Sequence, residues 1–250
     1  MYTAMDPSAF ILGIIFLFGG LIRGFAGFGT ALVVMPLGAI FLPAPTVLVT
    51  MLVADTFPTI PLVLRAYKKV IFSSLIVIYI GYLCAFPLGI WILFNTDPSN
   101  LRWFVCVVVF LACALLWSGW KYRGPRNAMV RAIVGGMAGT LGGSTGMNGP
   151  PVILYWLAQE NKADQIRANL IVLFALTTIA GFAFFWWNEV LTTDRIVLGL
   201  AVSPAYFIGI EIGSRFFKGA SDEQYRTVAL LLILAAAVIA MPLWDRVFMV

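Results

Sequence analysis

The chain has 250 residues, 62% of them hydrophobic and only 11% charged, with a formal net charge of +5 and a mean hydropathy of +0.98. Soluble domains are about half apolar and about a quarter charged, so this composition points to a polytopic all-α membrane protein and excludes a water-soluble enzyme. The surplus of Lys and Arg marks cytoplasmic loops, not a nucleic-acid surface, and the absence of histidine removes the commonest metal ligand and general base.

From the N-terminus, "MYTAMDPSAFILGIIF" has no basic n-region and no small-residue cleavage site, so it is expected to be retained. The first apolar stretch, 9–22, runs through "RGFAGFGT" into a second, 31–42. About twelve residues cover roughly 18 Å of a hydrocarbon core about 30 Å thick, so such stretches are too short to cross alone. Full-length candidates follow at 46–64, 70–94 and 101–120, then a polar linker at 121–130. The order then recurs. Short stretches at 132–141 and 149–158 flank "GTLGGSTGMNG", and full-length candidates follow at 168–187, 195–214 and 227–244. Cys84, Cys106 and Cys113 all fall in apolar stretches and are expected to be small buried residues. No polar gap is long enough for an attached enzyme domain, and no phosphate-binding loop occurs.

The recurrence predicts two repeats within a single membrane domain, 1–250: repeat one 8–120 and repeat two 131–248, joined by a cytoplasmic linker. Gly24, Gly27 and Pro36 stand 115 positions before Gly139, Gly142 and Pro151. If each short pair goes in and comes back, the halves are inverted. One side then carries Arg65, Lys68, Lys69, Lys121, Arg123, Arg126, Arg131, Lys162, Arg167, Arg215, Lys218 and Arg226, twelve in all, against three (Arg102, Arg195 and Arg246) on the other. If each short pair is one broken crossing, the count is nine against six. The positive-inside rule favours the first arrangement, with both termini outside the cytoplasm.

Short, Gly/Pro-interrupted segments at matching positions of inverted halves mark the binding site of a secondary transporter. Broken backbone is tolerated at membrane depth only inside protein or beside a watery cavity. The arm after each break begins a helix near mid-membrane, with Asn148 and Thr30 as candidate caps and Pro150 or Pro151 tolerated in a first turn. Such a helix start carries N–H groups without helical partners and about half a positive charge, which suits an anion. The competing reading takes the glycines as helix-packing faces, since Gly20 and Gly24, and Gly139 and Gly143, are four apart. The density of glycine beside proline favours a break.

Ionisable residues at membrane depth are functional candidates. Arg23, before the first break, can add a full charge for an anion. Asp55, with Asn169 as its counterpart in the second half, can serve as a coupling group, as a partner for Arg23, or as structural polar support. Glu211 stands four residues before Arg215 and is expected to pair with it. Pro58, Pro61, Pro87 and Pro204 are expected to kink helices, and "FFWW" at 184–187 reads as an interfacial belt.

"GLIRGFAGFGTALVVMPLGAIFLP" and, about 115 residues later, "GGMAGTLGGSTGMNGPPVILYWLA" together resemble the paired motif of the TauE/SafE family of sulfite or sulfonate exporters. The resemblance extends over essentially the whole chain. It implies carriage of a small sulfur oxyanion or organosulfur anion across the bacterial inner membrane. The family's glycines fall here on Gly24, Gly27 and Gly29, and on Gly142, Gly143, Gly146, Gly149 and Pro151. Phe28, Ser144 and Thr145 depart from the glycine run of many members, so the resemblance does not name the anion.

The expected protein is therefore a secondary carrier, an exporter by resemblance, that works by alternating access about an anion held between the two hairpins. The expected substrate-binding set is Arg23, Gly27, Phe28, Gly29, Thr30, Gly143, Ser144, Thr145, Gly146, Asn148 and Gly149, with Asp55 and Asn169 as coupling or polar support. Its partners are the anion, the lipid bilayer and, through Asp55, protons. No cofactor, metal, nucleic acid or catalytic residue is expected. The alternatives are an anion channel and a membrane scaffold or assembly factor with no transported substrate.

Overall fold

The computed structural model of the chain describes residues 7–26, 28–119, 122, 124–125, 127–157, 163–216 and 222–244. The described residues form ten α-helices and no strand: α1 Pro7–Ala26, α2 Thr30–Phe41, α3 Ala44–Ala66, α4 Phe72–Asn95, α5 Pro98–Trp117, α6 Ala128–Thr145, α7 Gly149–Leu157, α8 Ala163–Trp187, α9 Thr193–Phe216 and α10 Asp222–Ile239. Short 3-10 turns follow α3 at Tyr67–Lys69 and α10 at Pro242–Trp244. Five stretches, Ala44–Lys69, Phe72–Asn95, Pro98–Trp117, Gln165–Trp187 and Thr193–Arg215, are long and apolar enough to cross a membrane. The chain is a multi-pass membrane protein. Pro58, Pro61, Pro87 and Pro204 all lie inside these long helices.

Cα packing divides the chain into two compact units. One holds Met1–Ala54, Thr96–Ser118 and Thr192–Val250; the other holds Asp55–Asn95 and Gly119–Leu191. Each unit therefore draws helices from both halves of the sequence.

In the first unit α1 and α9 run side by side in the same direction. Gly20 and Gly24 face the carbonyls of Tyr206 and Ile210, and Gly209 and Gly213 face those of Leu17 and Leu21. A Cβ at any of the four would overlap the facing backbone, so this contact is closer than side chains allow. After the break, α2 turns back along α1: Gly29 lies beside Ile22, and Gly19 beside Thr30 and Val34. A continuing broken crossing would instead carry Val34 away from Gly19. α10 packs on α2 and α5. Arg102 donates to the Ala240 carbonyl at 3.0 Å, which satisfies an acceptor at the C-terminal end of α10. Leu12, Phe16, Val34, Met35, Val47, Val105, Val109 and Ala237 are buried here.

The second unit repeats this construction with α6 beside α4, again in the same direction. Gly135, Gly139 and Gly143 face the carbonyls of Ile78, Tyr82 and Phe86, while Gly81 and Gly89 face those of Ala132 and Thr140. The short α7 folds back along α6, with Asn148 beside Gly142 at one end and Tyr155 accepting from Arg131 Nε at 3.3 Å near the other. α8 packs on α4 and α7: Tyr79 donates to the Leu176 carbonyl at 3.1 Å. Trp156 Nε1 donates to Ser74 Oγ at 3.3 Å across the same unit.

Several expectations are corrected. The first arm of the second pair is not short, since α6 has 18 residues; α1 has 20 residues, but its apolar part, Phe10–Gly24, is short as expected. "GTLGGST" is helix to its last residue, because Gly139 and Gly143 serve as a packing face, which a membrane helix tolerates. The return arms are the shorter helices, 12 residues in α2 and 9 in α7, or roughly 18 and 14 Å at 1.5 Å per residue. The matching contacts also pair Gly20 with Gly139 and Gly24 with Gly143, 119 positions apart and not 115, a shift of about one helical turn. The sixth full-length span, 227–244, gives way to α10, which starts at Asp222 and stops at Ile239. Past Ile239 the chain leaves the helix, and Pro242 has no N–H to continue the ladder. Cys84 is exposed, unlike Cys106 and Cys113; it stands on the face of α4 that also exposes Ile80, Leu88 and Trp91, an i, i+4, i+8 stripe open to lipid.

The expected ion pair is present: Arg215 pairs with Glu211 one turn away, at 2.6 Å. In the "FFWW" run Trp186 and Trp187 are exposed, while Phe185 is buried. Of the linker and loop charges, Lys121, Arg123, Arg126, Lys162, Lys218 and Arg246 lie outside the described residues.

Candidate functional site

The two breaks are built alike from different residues. In the first unit α1 ends at Ala26 with Arg23 in its last turn, and α2 starts at Thr30. Gly29 precedes α2 with φ 105°, a left-handed conformation that a Cβ disfavours by roughly 1–2 kcal/mol. A Cβ there would also meet Ile22 Cγ2 at 2.9 Å. Gly29, not Thr30, holds the N-cap position, and no side chain caps this helix start. Thr30 occupies the first helical position instead, 4% exposed, and its hydroxyl shares a 2.8 Å hydrogen bond with the Tyr206 hydroxyl of α9. Phe16 meets the Tyr206 ring edge-on, with centroids 5.9 Å apart. Phe28 is half-buried beside the break, and Gly27 lies outside the described residues.

In the second unit Gly146 ends α6 with φ 73°, its N–H bonded to the Gly142 carbonyl. Three residues, Gly146, Met147 and Asn148, make the whole break before α7 begins at Gly149. Ser144 and Thr145 are fully buried, and both hydroxyls donate back into their own helix, to Thr140 O at 2.7 Å and Leu141 O at 2.8 Å. Thr145 Oγ1 also accepts from the Met147 N–H at 3.3 Å. Asn148, the residue before α7, donates through Nδ2 to Thr177 Oγ1 of α8 at 2.8 Å. Thr177 in turn donates to the Phe174 carbonyl at 2.9 Å. Pro150 and Pro151 lie in the first turn of α7, where their missing N–H groups cost no helical bond.

The breaks thus differ in what they offer an anion. A helix start has four N–H groups without partners inside the helix. At α7 two of those four positions are prolines, leaving the N–H groups of Asn148 and Gly149; at α2 no proline intervenes until Pro36. The dipole of each short arm adds about half a positive charge at its start.

The expected residues gather into two groups and two outliers. Arg23, Phe28, Gly29 and Thr30 lie together at the first break, and Gly143, Ser144, Thr145, Gly146, Asn148 and Gly149 at the second. Asn169 does not join the second group. It stands eight residues before Thr177 on α8, roughly 12 Å along the axis, where its Oδ1 accepts the Ile71 N–H ahead of α4 at 2.8 Å. Asp55 accepts from Thr59 one turn along α3 at 3.4 Å. Among the described residues, no group of three or more His, Cys, Asp or Glu side chains could hold a metal ion.

Sequence reasoning missed Tyr82, Tyr206 and Thr177. The two tyrosines stand in one pattern, small–Tyr–x–x–small–x–x–x–Gly: Gly81, Tyr82, Ala85 and Gly89 on α4, and Ala205, Tyr206, Gly209 and Gly213 on α9. The small residues let each helix approach its hairpin, and the tyrosine then reaches the break.

Comparison with known proteins gives the chain's family. The family model described as "Sulfite exporter TauE/SafE" matches residues 12–240. A Cupriavidus necator protein named "Probable sulfite/organosulfonate exporter TauE" is 31% identical over 97 residues, covering 39% of this chain and 38% of that protein. The chain thus matches about two fifths of the length of this curated relative. No solved structure matches the chain. With the family model spanning all ten helices in whole or part, the chain belongs to the sulfite exporter TauE/SafE family.

Proposed function

We propose that the chain is a secondary carrier that exports a small sulfur-containing anion, sulfite or a sulfonate, across the bacterial inner membrane by alternating access. The observation that carries this reading is the paired construction of the breaks. Each has a left-handed glycine, Gly29 or Gly146, followed by a short return helix, α2 or α7. Such a start meets a tetrahedral oxyanion with backbone N–H groups and a positive dipole end. Arg23 adds a full charge at the first break, and the Thr30 hydroxyl and the N–H groups of Asn148 and Gly149 add donors. Family membership and the name of the Cupriavidus necator relative support the substrate class. The excess of Lys and Arg on alternate loops supports placing both termini outside the cytoplasm. Coupling to protons falls to Asp55 or to the substrate's own protonation.

Purified protein in liposomes tests this. The expected result is saturable sulfite or sulfonate flux that carboxylates of similar size compete with poorly. Flux of none of these anions, with or without a proton gradient, would overturn the carrier reading. Flux that stays linear to high concentration, at rates far above those of a rocking carrier, would identify a channel.

A further inference from the structure

We propose that α3 is the joint through which the carrier changes conformation, bending within Asp55–Pro61. The inference rests on the carrier reading above and deepens it, since alternating access requires one compact unit to move relative to the other. The chain passes from one unit to the other at four places, 54/55, 95/96, 118/119 and 191/192. Three of these fall at a helix end or in a loop, where no helical ladder resists a change of direction. The fourth lies inside α3, the one described helix that is divided. Movement of either unit therefore has to be absorbed within that helix.

The sequence weakens α3 at this point. Pro58 and Pro61 lie inside the helix and have no N–H, so the carbonyls of Ala54 and Phe57, four residues earlier, lose their helical donors. Two missing bonds within one turn make a local soft point, and proline is the main cause of sharp helix kinks. Thr59 Oγ1 donates to Asp55 Oδ2 across the same turn, but at 3.4 Å the contact is long and adds little restraint. Among the described helices α3 alone has two interior prolines. α2, α4 and α9 have one each and stay within one unit. α8, which follows the second break as α3 follows the first, has none and is likewise undivided.

Burial changes at the same place. Thr46, Val47, Leu48, Val49 and Thr50 are all buried, with Gly38 of α2 against Val47 and Gly199 of α9 against Val53. Beyond Asp55 the helix exposes Phe57, Ile60 and Leu64, an i, i+3, i+7 face open to lipid. Its far end continues into the turn Tyr67–Lys69, which packs on α8. Each end of α3 is thus held within its own unit, and the stretch with the prolines is the thinly packed part.

The test measures hydrogen exchange and transport on wild type, Pro58→Ala/Pro61→Ala, Pro61→Ala and Pro87→Ala, the last a control in the undivided α4. In wild type the amides from Thr59 to Leu64 should exchange faster than those at the centre of α8. The alanine pair should slow exchange there at least about threefold, the scale of one net hydrogen bond, and leave α8 unchanged. In liposomes supplied with sulfite or a short alkyl sulfonate, the pair should lower kcat about three- to tenfold while KM changes less than about twofold, because the joint stiffens and the anion site is untouched. Its thermal midpoint should stay at or above wild type, and Pro87→Ala should leave α3 exchange and kcat near wild type. Wild-type kcat in the alanine pair, or a kcat loss that comes with a lower midpoint and a raised KM, would overturn the inference and leave the carrier reading intact. If the pair does not fold, Pro61→Ala decides, since Pro61 is exposed and its replacement disturbs no packing; unchanged α3 exchange and kcat in that variant overturn the joint. Absence of saturable flux in the wild type overturns the carrier reading, whereas equal exchange in α3 and α8 overturns the joint by itself.

Discussion

Replacing Gly143 by alanine adds one methyl group at the tightest kind of contact in this fold. Its Cβ would lie 2.5 Å from the Phe86 carbonyl oxygen, 2.8 Å from the Ile90 nitrogen and 3.0 Å from the Gly89 carbonyl carbon. All three are backbone atoms of α4, so no side chain can swing aside. Bringing the nearest contact to an ordinary van der Waals separation of about 3.4 Å moves α6 from α4 by nearly 1 Å at that level. A radial gap of 0.5–1 Å forfeits about a quarter to a half of each dispersion contact, and overpacking of this kind costs about 1–3 kcal/mol. Because Gly139 and Gly89 share the same strip, the upper part of that range is expected, with a thermal midpoint lower by about 4–10 °C in a chain of this size. Gly136→Ala is the matched control. Its Cβ would meet only Ala85 Cβ at 3.8 Å and the Gly81 oxygen at 4.0 Å, and alanine is the better helix former. It should be neutral or slightly stabilising. Thermal unfolding of both purified variants in detergent, followed by intrinsic fluorescence, gives the comparison. Equal midpoints for Gly143→Ala and Gly136→Ala would refute the close-contact reasoning.

Two further outcomes follow from the same geometry. Gly29→Ala should destabilise by more than the about 1–2 kcal/mol of a lost left-handed glycine, because its Cβ would also meet Ile22 Cγ2 at 2.9 Å; a thermal midpoint equal to wild type would contradict this. Asn169→Leu should cost about 1–3 kcal/mol by leaving the Ile71 N–H without its buried acceptor, and faster hydrogen exchange at the start of α4 should accompany the lower midpoint.

The parts of the fold visible in the sequence were those with a local cause. Long apolar runs located five full crossings to within a few residues, and Gly–Pro chemistry at 146–151 located the second break. The length of α6 was not visible, because a glycine reads locally as a helix breaker. Gly139 and Gly143 are helical for a reason held by another helix, the bare carbonyls of Tyr82 and Phe86. The 115-position pairing failed for the same reason, since glycines recur every turn here and only the facing helix selects the register. Thr30, Ser144, Thr145 and Asn148 were picked out by their polarity in an apolar setting, but polarity does not say which hydroxyls are already engaged. Tyr206 was missed because a lone tyrosine in an apolar span has no periodic signature. Its likeness to Tyr82 emerges only once both are set beside their glycines.

The pairing of α1 with α9 also bears on how the protein is made. A ribosome adding about 5–20 residues per second delivers Gly139 about 57 positions after Tyr82, so α6 meets α4 within roughly 3–11 seconds. Gly209 follows Gly20 by 189 positions, so the glycine face of α1 waits roughly 10–40 seconds in the bilayer before α9 covers it. During that interval the first helix has to be held by lipid, by α2 or by the insertion machinery. A nascent chain that has reached Leu191 contains every residue of the second unit and only part of the first, so biogenesis runs from the middle of the sequence outward and the N-terminal hairpin is among the last pieces to acquire its partner.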